Sequence, residues 1–422
     1  MRRPKLLYVC LDGLGDEPNP ELGDRTPLEA AETPFLDDLA RRGASGVVTT
    51  VGTGIAPESD IAVFAILGYD PNEEHPGRGV LEAIGSGMEF RDGDLAHRVN
   101  FATADGERII DRRVDRDLSS EESLALADEV NREVVLPGAT FQLLATVEHR
   151  GALVIRSPDS LSAEVSNTDP AYARLGSLGV ALEEFEDRVA WSEPLQDSDE
   201  ARRAAELTNE FVRASARVLD ASEVNARRRA EGRLPGNLIL TRDAGDHIPK
   251  LQPIKERFGP EWGCFVEMPV ERGIAMMLGM GEVSAPSTAD PELRYAAWAQ
   301  LATEALGGYD ALYVHIKGPD IPAHDGLALD KRDICSIIDR AFFGELLSRT
   351  DPSKLVIAVT ADHATSCVRK AHTADPVPLV VTGGSATADG VQSFGERAAA
   401  DGSIGHIRGV EILPRLTSLL DR

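Results

Sequence analysis

Short apolar runs in this 422-residue chain lead into carboxylates and histidines. Lys5–Leu11 is followed by Asp12-Gly13. Ala311–Ile316 is followed by Lys-Gly-Pro-Asp320, then His324 and Asp325-Gly326. Leu355–Thr360 runs into Ala-Asp362-His363, and His372-Thr-Ala-Asp375 stands just ahead of Pro378–Thr382. Asp and His side chains together ligate Zn²⁺ or Mn²⁺ well and Ca²⁺ less well. Two His with at least three Asp exceed what one tetrahedral ion needs, so the set suits a pair of ions. Paired ions stabilise the attacking and leaving oxygens of phosphoryl transfer. Each motif alone is common, since an Asp-Gly after a strand is usually a turn. Coincidence at several strand ends is what makes the set specific.

A second segment reads Gly52-Thr-Gly-Ile-Ala-Pro-Glu-Ser59-Asp60, followed by the apolar run Ile61–Leu67 and Gly68. It predicts a helix beginning at Ser59. Serine at a helix start can simply cap the helix. Beside metal ions it could instead be a nucleophile, with the helix amides facing a phosphate.

These residues need a scaffold that collects them. The four apolar runs are short, continuous and rich in Val, Ile and Leu, as expected of parallel strands buried on both faces. Helical patterns at Thr33–Arg42, Pro291–Leu306 and Lys331–Ser348 alternate with them, which predicts a doubly wound α/β sheet. In such sheets the ligand site lies beyond the carboxyl ends of the strands. From about Glu89 to Pro253 the runs are shorter and two polar helices appear, near Glu121–Asn131 and Asp199–Leu219. We read this as an inserted domain of residues 89–261, with 1–88 and 262–422 forming the metal-binding domain.

Composition narrows the function classes. There are 44 basic and 70 acidic residues, a formal net charge of −26. Such a field repels nucleic acid and anionic membranes, so neither is an expected partner. An anionic substrate would need a local cluster of metal ions or Arg. The four cysteines are scattered without a C-x-x-C pair, which suits a reducing, cytoplasmic setting better than a disulfide framework. The apolar run before Asp12 is too short for a signal peptide, and no stretch approaches a membrane span. Oligomeric state is not legible.

At this level the sequence resembles the archaeal-type cofactor-independent phosphoglycerate mutases of the alkaline phosphatase superfamily. The resemblance covers nearly the whole chain. It includes LDGLGD at 11–16, RTPLEAA at 25–31, SD at 59–60, LGYDP at 67–71, GRGVLEA at 77–83, RVNFAT at 98–103 and DRR at 111–113. It continues through TDP at 168–170, GRLPGN at 232–237, HDG at 324–326, ADH at 361–363 and DPVP at 375–378. The resemblance implies an alkaline-phosphatase-like, doubly wound, mainly parallel sheet with a smaller inserted α+β domain. It implies that Ser59 accepts a phosphoryl group and returns it to the other hydroxyl of the same glycerate. One divalent ion would be held by Asp12, Ser59, Asp362 and His363, the other by Asp320, His324 and His372. Mn²⁺ or Zn²⁺ are the expected ions, Mg²⁺ or Co²⁺ also being compatible, with no organic cofactor. Arg112, Arg113, Arg116 and Arg242, with Asp169, would bind the small anionic phosphorylated substrate, since guanidinium forks suit phosphate and carboxylate. The inserted domain would close over it.

The sequence departs from the family pattern on the substrate side. S-D-T-x-H becomes Ser59-Asp60-Ile61-Ala62-Val63, R-R-A-G-R becomes Arg112-Arg113-Val114-Asp115-Arg116, and D-P-H becomes Asp169-Pro170-Ala171. K-G becomes Arg272-Gly273, which puts Arg272 where a catalytic lysine is expected. These departures leave two alternatives beside the mutase. One is transfer on a modified phosphoglycerate- or phosphonate-like substrate. The other is a phosphatase or phosphodiesterase in which water resolves the phosphoserine. A non-catalytic relative is opposed by the ligand set.

Overall fold

Strand formation follows the apolar runs, and their order in the sheet sets what meets at its edge. In the computed structural model, residues 3–175, 178–182, 184–351 and 354–420 are described. The chain divides into two units, Met1–Glu74 with Leu251–Arg422, and His75–Lys250. Helix Arg78–Gly85 packs on strands Leu95–Asp105 and Leu238–Gly245, so it goes with the second unit although the sequence boundaries placed it in the first.

The first unit is built on an eight-stranded sheet. Its order is Gly281–Glu282, Trp262–Phe265, Ala311–Ile316, Lys5–Leu11, Leu355–Thr360, Val377–Thr382, Ala44–Thr49, Gly405–Arg408. The central strands Lys5–Leu11, Ala311–Ile316 and Leu355–Thr360 are parallel and almost wholly buried, as continuous apolar runs demand. Val377–Thr382 corrects the sequence reading: it runs antiparallel to both neighbours. The reversal has a purpose. Residues that precede an antiparallel strand lie at the carboxyl ends of its parallel neighbours. His372, which precedes it, thereby reaches the same sheet edge as Asp12 and Asp362.

The expected helix Lys331–Ser348 is three segments. Ala328–Ile338 passes through a π turn, Asp339–Gly344, into Glu345–Arg349. Asp339 in that turn accepts from the backbone N–H of Phe35 (3.2 Å) and Leu36 (2.7 Å). It thus satisfies orphan donors of helix Pro34–Arg42, whose own Thr33 makes no cap.

Beneath the sheet edge lies a polar cluster. Lys331 is fully buried and its ammonium donates to Gly15 O (3.0 Å), Asp16 Oδ2 (3.0 Å) and Thr365 O (2.8 Å). It fastens the loop after Lys5–Leu11 to the hairpin after Leu355–Thr360. Glu396 accepts from the Thr26 hydroxyl (2.7 Å) and Asp16 N (3.2 Å), and burial pushes its carboxyl up to about 7.

The second unit is an antiparallel sheet. Leu95–Asp105 pairs with Arg108–Asp111, Arg150–Arg156 and Leu238–Gly245, and Thr140–Ala145 pairs with Arg150–Arg156. Helices Ser120–Glu133 and Asp199–Ala221, capped by Ser119 and Ser198, bury Leu126, Leu207 and Phe211 against Phe101 and Leu153 in one core. No helix among the described residues is long and apolar enough to cross a membrane.

Lys331→Met would leave the buried Asp16 carboxylate and two carbonyls without their cation. It should cost about 3–5 kcal/mol, read from urea unfolding midpoints. Glu396 has a native value of about 7 against 4.5 when unfolded, so the native state holds the extra proton between them and stability falls as pH rises through that window. Glu396→Gln should therefore melt above the parent near pH ~8 but not near pH ~4, checked by thermal unfolding at both.

Candidate metal centre

The loops at the carboxyl edge of the first unit's sheet bring Asp12, Ser59, Asp320, His324, Asp362, His363 and His372 into one neighbourhood. Asp12 follows its strand directly, its N–H bonded to Ile316 O (2.9 Å). Gly13 then takes a left-handed φ of 61°, and its N–H donates to Asp362 Oδ1 (3.1 Å). A Cβ there would stand 2.6 Å from Thr365 Oγ1 and 2.7 Å from Asp320 Oδ1, so only glycine lets the two loops close on each other.

Ser59 opens the helix Ser59–Ile66, but its hydroxyl does not cap it. Glu58 holds the N-cap position, and Ser59 Oγ lies 3.1 Å from His363 Nε2. His363 Nδ1 lies 3.1 Å from Thr365 Oγ1, whose proton goes to Asp320 Oδ1 (2.8 Å). We assign the ring proton to Nδ1 from this network, which leaves the Nε2 lone pair pointing inward. Nε2 faces Asp362 Oδ2 at 3.3 Å and Asp12 Oδ1 at 3.6 Å. Both oxygens are buried without a hydrogen-bond partner. Three lone-pair atoms thus converge with no donor among them beyond the serine hydroxyl. Burial, then the adjacent Asp12 charge, pushes Asp362 up to about 7. That is the electrostatics of a cation site, and the residues fit one divalent ion.

The second set is adjacent. Asp320 Oδ1 is 3.3 Å from His324 Nε2 and 3.8 Å from His372 Nε2. His372 Nδ1 bonds Pro57 O (2.8 Å), turning its Nε2 lone pair toward Asp320. Burial, then the stacked His363 ring 3.8 Å away, pulls His372 down to about 4, so its ring is neutral at physiological pH and able to ligate. His324 is held above its usual value by Asp320 against the opposing effect of burial.

Three further groups complete the neighbourhood. His315 Nε2 donates to Asp12 Oδ2 (2.9 Å), and Tyr313 Oη lies 2.9 Å from His315 Nδ1. The Lys317 ammonium meets Asp12 Oδ2 at 2.7 Å and Asp320 Oδ2 at 3.0 Å. Glu271 turns inward beside Asp12 and His315, and burial pushes its carboxyl up to about 7. Arg272, the next residue, points the other way: its side chain is 44% exposed and pairs with Glu282 at 2.9 Å. The structure does not bring Arg272 to the ligands; Lys317 is the cation there. A lysine directly after a buried strand and ahead of a ligand was the available signal for it. Glu271 and His315 gave none, being ordinary in a helix and a strand.

The remaining predicted residues lie in the second unit. Arg112 makes two parallel 2.8 Å bonds to Asp169, which is 1% exposed, and lies over Tyr172 at 5.2 Å. Arg242 stacks on the same ring at 3.7 Å. Between Arg113 and Asp117 the backbone makes a left-handed turn, with φ of 52°, 54° and 55° at Val114, Asp115 and Arg116. Such a run is strained for non-glycine residues, above all for a β-branched valine. It is held by Asp111 Oδ1, which accepts from Arg113 N (2.7 Å) and Asp115 N (3.0 Å), and by the fully buried Val114 side chain. Positive charge collects here: burial, then Arg150 of the neighbouring strand with Arg113 and Arg116, drives His149 down to about 3.

Comparison with known proteins gives a consistent result. Residues 40–225 match the family model described as 2,3-bisphosphoglycerate-independent phosphoglycerate mutase. A protein of that name from Aeropyrum pernix is 43% identical over 99% of this chain and 99% of its own. One from Methanopyrus kandleri is 39% identical over 99% and 97%. A solved structure from Pyrococcus horikoshii superposes with a TM-score of 0.82 at 31% identity, covering 100% of this chain and 98% of that one. The cofactor-independent phosphoglycerate mutase of Thermoplasma acidophilum gives 0.66 at 33% identity over 99% and 100%.

Arg112 is spent on a buried carboxylate. Arg112→Leu should therefore lower stability by about 3–5 kcal/mol, and adding Asp169→Asn should recover much of that loss, a coupling measurable as a double-mutant cycle.

Proposed function

This chain belongs to the 2,3-bisphosphoglycerate-independent phosphoglycerate mutase family, and from that premise we propose that it interconverts 2-phosphoglycerate and 3-phosphoglycerate through a phosphoserine at Ser59. The observation that carries the reading is the Ser59 hydroxyl, 3.1 Å from His363 Nε2, where buried carboxylate oxygens meet without donors. Ser59 attacks phosphorus, the ester bond to the glycerate breaks, and the glycerate's other hydroxyl then takes the phosphoryl group back from Ser59. Asp12, Ser59, Asp362 and His363 would hold one divalent ion, and Asp320, His324 and His372 the other. When bound, such ions offset phosphoryl charge and favour the ionised form of a serine hydroxyl. Mn²⁺ or Zn²⁺ best suit these donors.

The protein's own groups orient and select. Thr365 fixes the His363 tautomer, and Pro57 O fixes that of His372. Arg113, Arg116 and Arg242 carry guanidinium forks suited to phosphoryl and carboxylate oxygens, the role the family resemblance implies for them. Arg112 acts through Asp169 and Tyr172, holding the stack on which Arg242 rests. The side chains of Ile61 and Val63, buried in the helix behind Ser59, supply packing and no proton.

With 3-phosphoglycerate, phosphorus NMR should show 2-phosphoglycerate as the new species. Free phosphate in its place would make the protein a hydrolase, and no change would send the search to a modified substrate. Ser59→Ala should lose on the order of 10³-fold or more in turnover and all phosphoenzyme seen by intact mass. Chelation should abolish activity and added Mn²⁺ or Zn²⁺ restore it.

A further inference from the structure

Lys317 touches both ligand sets, and it does so in the same way. Asp12 gives its outer oxygen, Oδ2, to the Lys317 ammonium (2.7 Å) and to His315 Nε2 (2.9 Å), while Oδ1 faces His363 Nε2 (3.6 Å). Asp320 gives its outer oxygen, Oδ2, to the same ammonium (3.0 Å), while Oδ1 faces His324 Nε2 (3.3 Å) and takes the Thr365 hydroxyl (2.8 Å). In both carboxylates the lysine meets Oδ2, shared on Asp12 with His315, while His363 faces Oδ1 of Asp12 and His324 faces Oδ1 of Asp320. The root of the side chain is fixed too: Lys317 follows a fully buried strand, and its N–H donates to Glu267 Oε2 (2.8 Å).

We propose that Lys317 is a positioning residue that yokes the two ligand sets and serves as their resident counter-ion. The proposal rests on the reading that the sets hold divalent ions. Asp12 and Asp320 are both buried and both reach the one ammonium, at 2.7 and 3.0 Å, and buried carboxylates need positive charge beside them. The tethered ammonium supplies that charge whether or not an ion is present. It also leaves the inner oxygen of each carboxylate turned toward its histidines. Because it contacts Asp12 and Asp320 together, displacing one displaces the other.

The test compares melting temperatures of the chelator-treated protein and of the same protein with Mn²⁺, for the parent, Lys317→Met, Lys317→Gln and Lys317→Arg. Without ions, the Met and Gln variants should melt several degrees below the parent. They should gain more than the parent on adding Mn²⁺, because the ion then supplies charge the lysine had provided. A variant that folds only with Mn²⁺ is the extreme of that outcome. Lys317→Arg, which keeps the charge, should recover most of both values. The proposal is overturned if the Met and Gln variants match the parent without ions, if their gain is no larger, if neither folds even with Mn²⁺, or if Arg recovers nothing. If the parent itself gains nothing from Mn²⁺ or Zn²⁺, the two-ion reading falls and this proposal with it. If the parent gains and the neutral variants behave like it, only the role of Lys317 falls.

Discussion

Acceptors packed together without donors are the constraint from which the rest of this structure follows. Asp12 Oδ1, Asp362 Oδ2 and His363 Nε2 meet in a place closed to water. An ionised carboxylate there is tolerable only beside positive charge. The protein meets that demand twice, with Lys317 on the outer side of Asp12 and Asp320 and with a ligand set open to cations on the inner side. Burial, then the neighbouring Asp12 charge, pushes the third carboxyl, Asp362, up to about 7.

The scaffold serves that meeting. Three parallel strands present their carboxyl ends, and the antiparallel strand beside them delivers His372 from the opposite chain direction. Gly13 permits the loop carrying Asp12 to press against Thr365 and Asp320. Lys331 ties the same loops together from below through three hydrogen bonds. Two lysines, Lys331 fully buried and Lys317 half-buried, thus serve this edge of a protein whose overall charge is −26. Net charge describes the surface; the site is governed by a few groups held at short range.

The second unit applies a similar economy to arginine. One guanidinium, Arg112, is neutralised by Asp169 and becomes part of the framework. Arg242 is held flat against Tyr172. Arg113 and Arg116 sit at either end of a strained left-handed turn anchored by Asp111 and Val114. A backbone held at positive φ through three non-glycine residues is retained only where surrounding structure over-determines it.

The sequence by itself determined the chemistry and the class of fold. Apolar runs ending in Asp and His are local features, and burial of a continuous Val/Ile/Leu run leaves little choice but a central strand. Ser59 at a helix start and the arginines of residues 112–116 were visible for the same reason. The tertiary structure decided what depends on direction and on distant neighbours. The reversal of Val377–Thr382 lies outside what an apolar run encodes, because such a run reads alike in both directions. Adjacent residues on a helix point about 100° apart, so Glu271 faces the ligands while Arg272 faces Glu282 in the folded chain alone. The bond between Lys317 and two carboxylates, one of them some three hundred residues away, exists only once parallel strands bring their ends together.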